Sequence, residues 1–179
     1  LQKPTPSLFG LAGGHNVVYL GSFSRLLLPS IRISFMVLPP SLADEYHRRS
    51  DYYSQTASKA EQIALCQFIR DGHLGAQTRR LKRLYSQKLK LLLHEVREVF
   101  GSSSQIQIGA AGTSLALTLS CPADGAELKK QARTRGLHLQ ILEEEPGFVT
   151  LLLSCSSMPE EDFAPACHLL SQIMSELSS

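Results

Sequence analysis

The chain has 179 residues, of which 43% are apolar and 19% are charged, with 18 Lys and Arg against 16 Asp and Glu. This composition is that of a globular protein, which excludes general disorder, and the length suits one domain or two small ones. No uncharged apolar run is long enough to span a membrane, and the first residues lack the apolar core of a targeting peptide.

The first forty residues predict two strands with a loop between them. Segments 16–20 and 33–38 are rich in β-branched and aromatic residues, and Gly, Ser or Pro bounds each of them. Segment 21–32 carries small hydroxyl residues directly after the first strand, and Pro29 breaks any regular element there. We therefore expect a strand, a loop and a second strand.

The middle of the chain has helical periodicity. One helix is predicted within 42–52, and a second over 58–70 begins with a capping box formed by Ser58 and Glu61. A third, over 75–100, keeps apolar residues at i, i+3 and i+4 spacing. At about 26 residues it is roughly 39 Å long, which favours a helix that connects two lobes.

The last eighty residues alternate strands with helices. A helix is predicted over 124–135 and a turn over 143–147, and a final helix runs from a capping box at 157–160 to about residue 177. The four predicted strands cover 105–108, 114–121, 137–142 and 148–154.

The charge is unevenly distributed along the chain. Residues 1–100 hold 14 basic and 7 acidic side chains, whereas residues 101–179 hold 4 basic and 9 acidic ones. Such a basic cluster can meet phosphate, but a solvated helix face is the favoured interpretation. The basic residues at the centre of the excess are Arg79, Arg80, Lys82, Arg83, Lys88 and Lys90.

The cysteines do not form a metal-binding motif. No two of them have CxxC spacing, and the six histidines are scattered singly, which predicts no zinc or other metal site. We expect reduced thiols, typical of a cytoplasmic protein. The four are Cys66, Cys121, Cys155 and Cys167.

The predicted loop carries a recognisable pattern. Residues 19–25 are Tyr-Leu-Gly-Ser-Phe-Ser-Arg, and the chain continues Leu-Leu-Leu-Pro-Ser-Ile-Arg to residue 32 before a Pro-terminated strand. This resembles the lysine loop of fold-type I pyridoxal-phosphate (PLP) enzymes, in the form found in MocR-type regulators of the GntR class. Segments 61–73 and 79–85 also match that family, and the resemblance weakens beyond about residue 100.

The resemblance implies an α/β fold, namely the C-terminal portion of a PLP-dependent transferase-like fold. Residues 1–40 would be the tail of the large cofactor domain, 41–100 a helical connecting segment, and 101–179 a small C-terminal α/β lobe. A whole family member is over twice this length, so a DNA-binding winged helix and the start of the cofactor domain would precede residue 1. The resemblance further implies a homodimer and a small-molecule effector, PLP or an amino acid.

The same resemblance implies which residues hold the cofactor. The hydroxyls of Ser22 and Ser24 and the guanidinium of Arg32 would bind the PLP phosphate, since hydroxyls donate to phosphate oxygens and Arg offers a bidentate fork. Spacing alone favours an ordinary strand-turn-strand with a surface Arg. Because the ring-stacking aromatic and the pyridine-binding Asp would precede residue 1, we expect weak or absent PLP binding in this segment.

Three positions depart from the family pattern. Arg25 occupies the position of the Schiff-base lysine, and a guanidinium with a pKa above about 12 has no free lone pair for that role. Segment 148–157 lacks the Arg with which many relatives grip a substrate carboxylate, and Thr113 stands where relatives often have His. Two roles for Arg25 remain open: it could bind a non-covalently held anion, or it could be a plain salt-bridge partner.

These observations predict the effector-sensing, aminotransferase-like part of a bacterial transcription regulator that does not catalyse transamination. The alternative is a PLP-dependent aminotransferase whose catalytic lysine has been changed to Arg. A third interpretation, a plain dimerisation module, predicts no ligand.

Overall fold

The structure, a computed structural model, consists of two compact units, of which the first ends at Arg79 and the second begins at Arg80. Helices alternate with two antiparallel sheets, which confirms the predicted α/β class. Among the described helices, none is both long and apolar enough to cross a membrane. The residues that the structure describes are 6–24, 26–28, 30–52, 56–101, 104–109, 111–121 and 124–178.

The first unit contains a two-stranded sheet and short helices. Strands β1 and β2 pair antiparallel with Ser22 opposite Ser34, as the predicted strand-loop-strand requires. The predicted first strand begins too early, because Asn16 has a φ of 56°, a left-handed conformation that interrupts an extended strand. The elements are α1 (Leu8–Leu11), β1 (Tyr19–Ser22), β2 (Ser34–Val37), α2 (Pro40–Arg49), a 3-10 turn (Ser50–Tyr52), α3 (Lys59–Arg70) and the start of α4 (His73–Phe100).

The helix starts in this unit follow local capping chemistry. The Ser58 hydroxyl accepts a hydrogen bond from the Glu61 N–H at 3.5 Å, so α3 begins where the sequence predicts. Helix α2 begins slightly earlier than predicted, with Pro39 as its N-cap residue and Pro40 in its first turn. Proline suits that position because its fixed φ is helical and the first turn leaves N–H groups unpaired.

The second unit is a four-stranded antiparallel sheet covered by helices, with strand order β3-β4-β6-β5. Along β4, Leu115, Leu117 and Leu119 are buried and alternate with half-buried residues, so one face of the sheet forms the core. Leu92 and Val96 of α4 belong to the same core. The elements after α4 are β3 (Gln105–Ile108), β4 (Ser114–Ser120), α5 (Gly125–Thr134), β5 (Gln140–Glu145), β6 (Phe148–Ser154), a 3-10 turn (Glu160–Asp162) and α6 (Phe163–Leu177).

Two boundaries in this unit differ from the prediction. The strand predicted over 137–142 is shifted to Gln140–Glu145, and only Pro146 and Gly147 form the turn. The run of glutamates is tolerated in β5 because this is an exposed edge strand, which tends to carry charge. The predicted capping box at 157–160 is wrong, since Pro159 starts a 3-10 turn that leads into α6.

Candidate functional site

The loop after β1 is organised by two serine hydroxyls. The Ser22 hydroxyl accepts a hydrogen bond from the Ser24 N–H at 3.3 Å and donates to Ser24 Oγ, also at 3.3 Å. The Ser24 hydroxyl in turn donates to the Ile31 carbonyl at 2.6 Å. These bonds tie the residues that follow β1 to the segment that precedes β2.

Arg32 lies beside these serines in the backbone of the loop. Its neighbours on both sides are bonded across the loop, because the Ile31 carbonyl accepts from Ser24 and the Ile33 carbonyl accepts from the Phe23 N–H at 3.1 Å. The Arg32 side chain is exposed, and its guanidinium has no hydrogen bond or ion pair with any described residue. Arg25 lies outside the described residues.

The donor chemistry of the loop fits a phosphate group. The Arg32 guanidinium provides charge and a planar pair of donors, and the exposed Ser22 hydroxyl can turn from Ser24 toward an anion. The half-buried Ser24 hydroxyl already donates to Ile31, so in this arrangement it shapes the loop. Of the two serines, Ser22 is therefore the better phosphate donor.

The loop borders an open cleft of about 740 Å³ within the first unit. Phe23 and Ile33, which flank the bonded segment, contribute to its wall. Polar side chains that could contact a ligand line the cleft as well: Ser34, Tyr46, His47, Ser50, Thr56 and Gln62.

Thr113 and the end of β6 have structural roles. The Thr113 carbonyl accepts from the Cys155 N–H at 3.0 Å and from the Cys155 thiol at 3.1 Å. Ser154, the last residue of β6, shares a hydroxyl–hydroxyl hydrogen bond of 2.8 Å with Ser156. Neither feature provides the imidazole or the guanidinium that the family pattern has in these segments.

One member of the basic cluster on α4 differs from the rest. Lys88 is half-buried, donates to the Met158 carbonyl at 2.9 Å, and lies 5.7 Å from the centre of the Phe163 ring. Sequence reasoning grouped it with the solvated face, since its partners are about 70 residues away in the chain and leave no local signal. The exposed members are Arg79, Arg80, Lys82, Arg83 and Lys90.

None of the four cysteines, all of which are among the described residues, forms a disulfide. Burial raises the pKa of the Cys155 thiol above its ordinary value, and it raises that of Cys167 to about 11. Cys121 is also buried, whereas Cys66 is exposed. Among the described residues, no three His, Cys, Asp or Glu side chains are grouped so that they could hold a metal ion.

Known regulators are similar to most of this chain. YhdI of Bacillus subtilis, named as an uncharacterized HTH-type transcriptional regulator, is 35% identical over 164 residues, which are 89% of this chain and 35% of that protein. The probable rhizopine catabolism regulatory protein MocR of Rhizobium meliloti is 30% identical over 143 residues, 80% of this chain and 29% of that protein. Over most of its length, the chain is similar to MocR-type regulators. It spans about a third of the length of these relatives.

Aminotransferases are also similar to this segment. The 2-aminoadipate transaminase of Thermus thermophilus is 26% identical over 189 residues, 96% of this chain and 45% of that protein. No protein-family profile matches the chain.

Solved aminotransferase structures share the fold of the segment. The α-aminoadipate aminotransferase LysN of Thermus thermophilus, complexed with N-(5'-phosphopyridoxyl)-L-leucine, superposes with a TM-score of 0.73 at 20% identity and covers 99% of this chain and 47% of its own. Aminotransferase Aro8 of Candida albicans gives a TM-score of 0.76 at 19% identity, over 96% of this chain and 42% of its own. The predicted PLP-dependent transferase-like fold is therefore confirmed.

Proposed function

We propose that this segment is the effector-sensing part of a transcription regulator and binds PLP, or a related phosphate-bearing anion, without a covalent bond. The observation that carries the proposal is the hydrogen-bonded pair Ser22–Ser24 beside Arg32, in a chain with Arg at position 25. Similarity to HTH-type regulators and to aminotransferases supports it. The proposal includes a cytoplasmic homodimer whose DNA-binding domain precedes this segment.

Each loop residue has a distinct role in the proposal. Arg32 neutralises the phosphate and binds two of its oxygens, Ser22 donates a hydroxyl hydrogen bond, and Ser24 holds the loop through Ile31. PLP supplies an electron sink for amino-acid chemistry when a lysine amine carries it. The Arg25 guanidinium has no free lone pair for that bond, so the ligand binds and leaves unchanged.

The first experiment measures PLP binding to the full-length protein by isothermal titration, followed by borohydride treatment and mass spectrometry. We expect reversible binding and no adduct at position 25. Arg32→Ala should weaken binding about 10- to 100-fold, because a charge-assisted hydrogen-bonded pair is worth about 1.5–3 kcal/mol. Arg32→Lys should lose less, since it keeps the charge but not the fork.

Matched controls make this result specific. Arg70→Ala removes the same charge from an exposed position on α3 and should leave the affinity unchanged. Unchanged affinity in Arg32→Ala would refute the assigned phosphate contact, and a borohydride-trapped adduct at position 25 would refute non-covalent binding. Absence of any binding would favour a plain dimerisation module.

The second candidate is an aminotransferase disabled at one residue. The 26% identity to 2-aminoadipate transaminase over 96% of the chain favours it. Arg25→Lys in the full-length protein separates the two candidates. The regulator proposal expects no amino-group transfer from this variant, because segment 148–157 has no Arg for a substrate carboxylate. Restored transfer would establish the aminotransferase.

A further inference from the structure

The part of α4 that belongs to the second unit carries a row of exposed basic side chains. Arg83, Lys90 and Arg97 are spaced seven residues apart and are all exposed. Because a straight helix drifts by only about 20° per seven residues, the three lie on one face. At 1.5 Å per residue, the row is about 21 Å long. We call these three residues the basic row.

The members of the basic row lack acidic partners at the spacing of a helical ion pair, although Glu95 and Glu98 lie within two residues of Arg97. The helix positions three and four residues from each member, where an intrahelical ion pair would form, hold no carboxylate. Lys90, for example, has Ser86, Gln87, Leu93 and His94 at these positions. None of the three forms an ion pair with a described residue.

Basic residues on other helices include paired ones: Glu45 pairs with Arg48 and Arg49 on α2, and Glu127 pairs with Lys130 on α5. The exposed cations on other helices that have no ion pair with a described residue, among them Arg70, Lys129 and Arg133, do not form a row at seven-residue spacing. Residues 101–179 carry 9 acidic and 4 basic side chains, so the positive charge of the second unit is concentrated on α4. Unpaired like charges on one rigid helix repel each other, and a bound polyanion would relieve that repulsion.

We infer that the basic row is a contact surface for the phosphate backbone of duplex DNA. A rigid row about 21 Å long covers about six base pairs of the B-form duplex, where phosphates provide one charge per 1.7 Å of helix axis. DNA is favoured over other polyanions because the relatives are HTH-type regulators. The contact does not depend on the base sequence of the DNA, since contacts to phosphates carry no base-sequence information. This inference rests on the regulator part of the proposed function and is independent of the phosphate loop.

The test measures how DNA affinity depends on salt. Anisotropy titrations of a random-sequence duplex with the full-length protein are repeated across a range of NaCl concentrations. The triple variant R83A/K90A/R97A should reduce the slope of log K against log salt by about 2.7, because each phosphate contact contributes about 0.9. Phosphate contacts made by other parts of the protein are common to all variants and cancel in the comparison.

Two control variants separate the basic row from general charge. R70A/K129A/R133A removes three exposed cations elsewhere and should leave the slope nearly unchanged. R83K/R97K keeps the charges and should retain the original slope. Thermal unfolding of each variant checks that these exposed substitutions leave the fold intact.

Equal losses in R83A/K90A/R97A and R70A/K129A/R133A would overturn the inference, because net charge alone would then explain the binding. An unchanged slope in R83A/K90A/R97A would also overturn it. The inference would likewise fail if R83A/K90A/R97A lost binding to phosphatidylserine vesicles but kept its binding to DNA. Since PLP titration is measured separately, failure of the phosphate loop is distinguishable from failure of the basic row.

Discussion

The Arg135–Glu176 pair joins the end of α5 to the last turns of α6. Arg135 donates to both carboxylate oxygens of Glu176, at 3.1 Å for Nη1 to Oε1 and by a second bond from Nη2 to Oε2. Gln172 donates to the same carboxylate at 3.1 Å. The Arg135 hydrogen bonds, followed by that of Gln172, hold the pKa of Glu176 below its ordinary 4.5. The folded chain therefore binds a proton at this residue less readily than the unfolded chain does.

The sign of this pKa shift predicts how stability depends on pH. Stabilisation by the pair is fully present above pH 4.5 and is lost as the pH falls through the lowered pKa of Glu176. Glu176→Gln should therefore lower the melting temperature near pH 7, and the difference from the parent should shrink as the pH falls through the lowered pKa of Glu176. Exposed Glu161, changed to Gln, provides the control. A difference for Glu176→Gln that stays constant with pH would contradict the prediction.

How much of the candidate site the sequence predicts depends on how local each interaction is. The hydroxyls of Ser22 and Ser24 are two residues apart, so a hydrogen bond between them follows from their spacing. The bond from Ser24 to Ile31 crosses the loop and needs the β1–β2 register, which sequence alone does not define. The contact of Lys88 with Met158 depends on the packing of the whole second unit.

At the scale of elements, β5 and α5 are linked by one side chain. Glu144 Oε1 accepts a hydrogen bond from the N–H of Gly125, the first residue of α5, at 2.8 Å. A Cβ on Gly125 would lie 2.6 Å from Glu144 Oε2, so glycine permits this close approach. A carboxylate at a helix N-terminus satisfies a free N–H group and interacts favourably with the helix dipole. Glu144 thus adds a second acceptor to the one that Asp124 provides to the Ala126 N–H.

Removing this link should destabilise the second unit measurably. Glu144→Ala is expected to lower the free energy of unfolding by about 1 kcal/mol, the typical cost of a lost helix cap. Glu145→Ala is the matched control, because it removes the same charge from the same acidic run without a hydrogen bond to α5. Urea unfolding of the three proteins measures the difference. Equal stability of the two variants would show that Glu144 does not cap α5.

The accuracy of the predicted elements follows from how local their signals are. Helix α3 is predicted closely because Ser58 is adjacent to its first turn, and α4 ends before Gly101, whose φ is 61°. Strand β5 is displaced because its pairing partner β6 determines which residues are extended, and a bulge between Ile141 and Glu143 changes the register. The glutamates of β5 have low strand propensity, so pairing overrides that preference.

At the scale of the whole molecule, burial differs greatly between the two units. Among its described residues, the second unit contains 17 buried core side chains, of which Val96, Leu117 and Ile173 have no exposed surface. In the first unit, Ile33 and Pro39 are the buried side chains among the described residues, and Leu20 and Ile63 are 74% and 70% exposed. Ordering each residue costs about 1–2 kcal/mol of backbone entropy, and burial of apolar side chains is the main compensation.

This contrast predicts that the two units differ in autonomous folding. A fragment of residues 80–179 retains Leu89, Leu92 and Val96 of α4 and should unfold in a single cooperative transition in urea. A fragment of residues 1–79 buries too little apolar surface to offset its ordering entropy, so it should show no cooperative transition and should bind the dye ANS. Circular dichroism and ANS fluorescence measure both properties. A cooperative transition in the 1–79 fragment would contradict this prediction, because it would show that the interactions within residues 1–79 are enough to stabilise a folded structure.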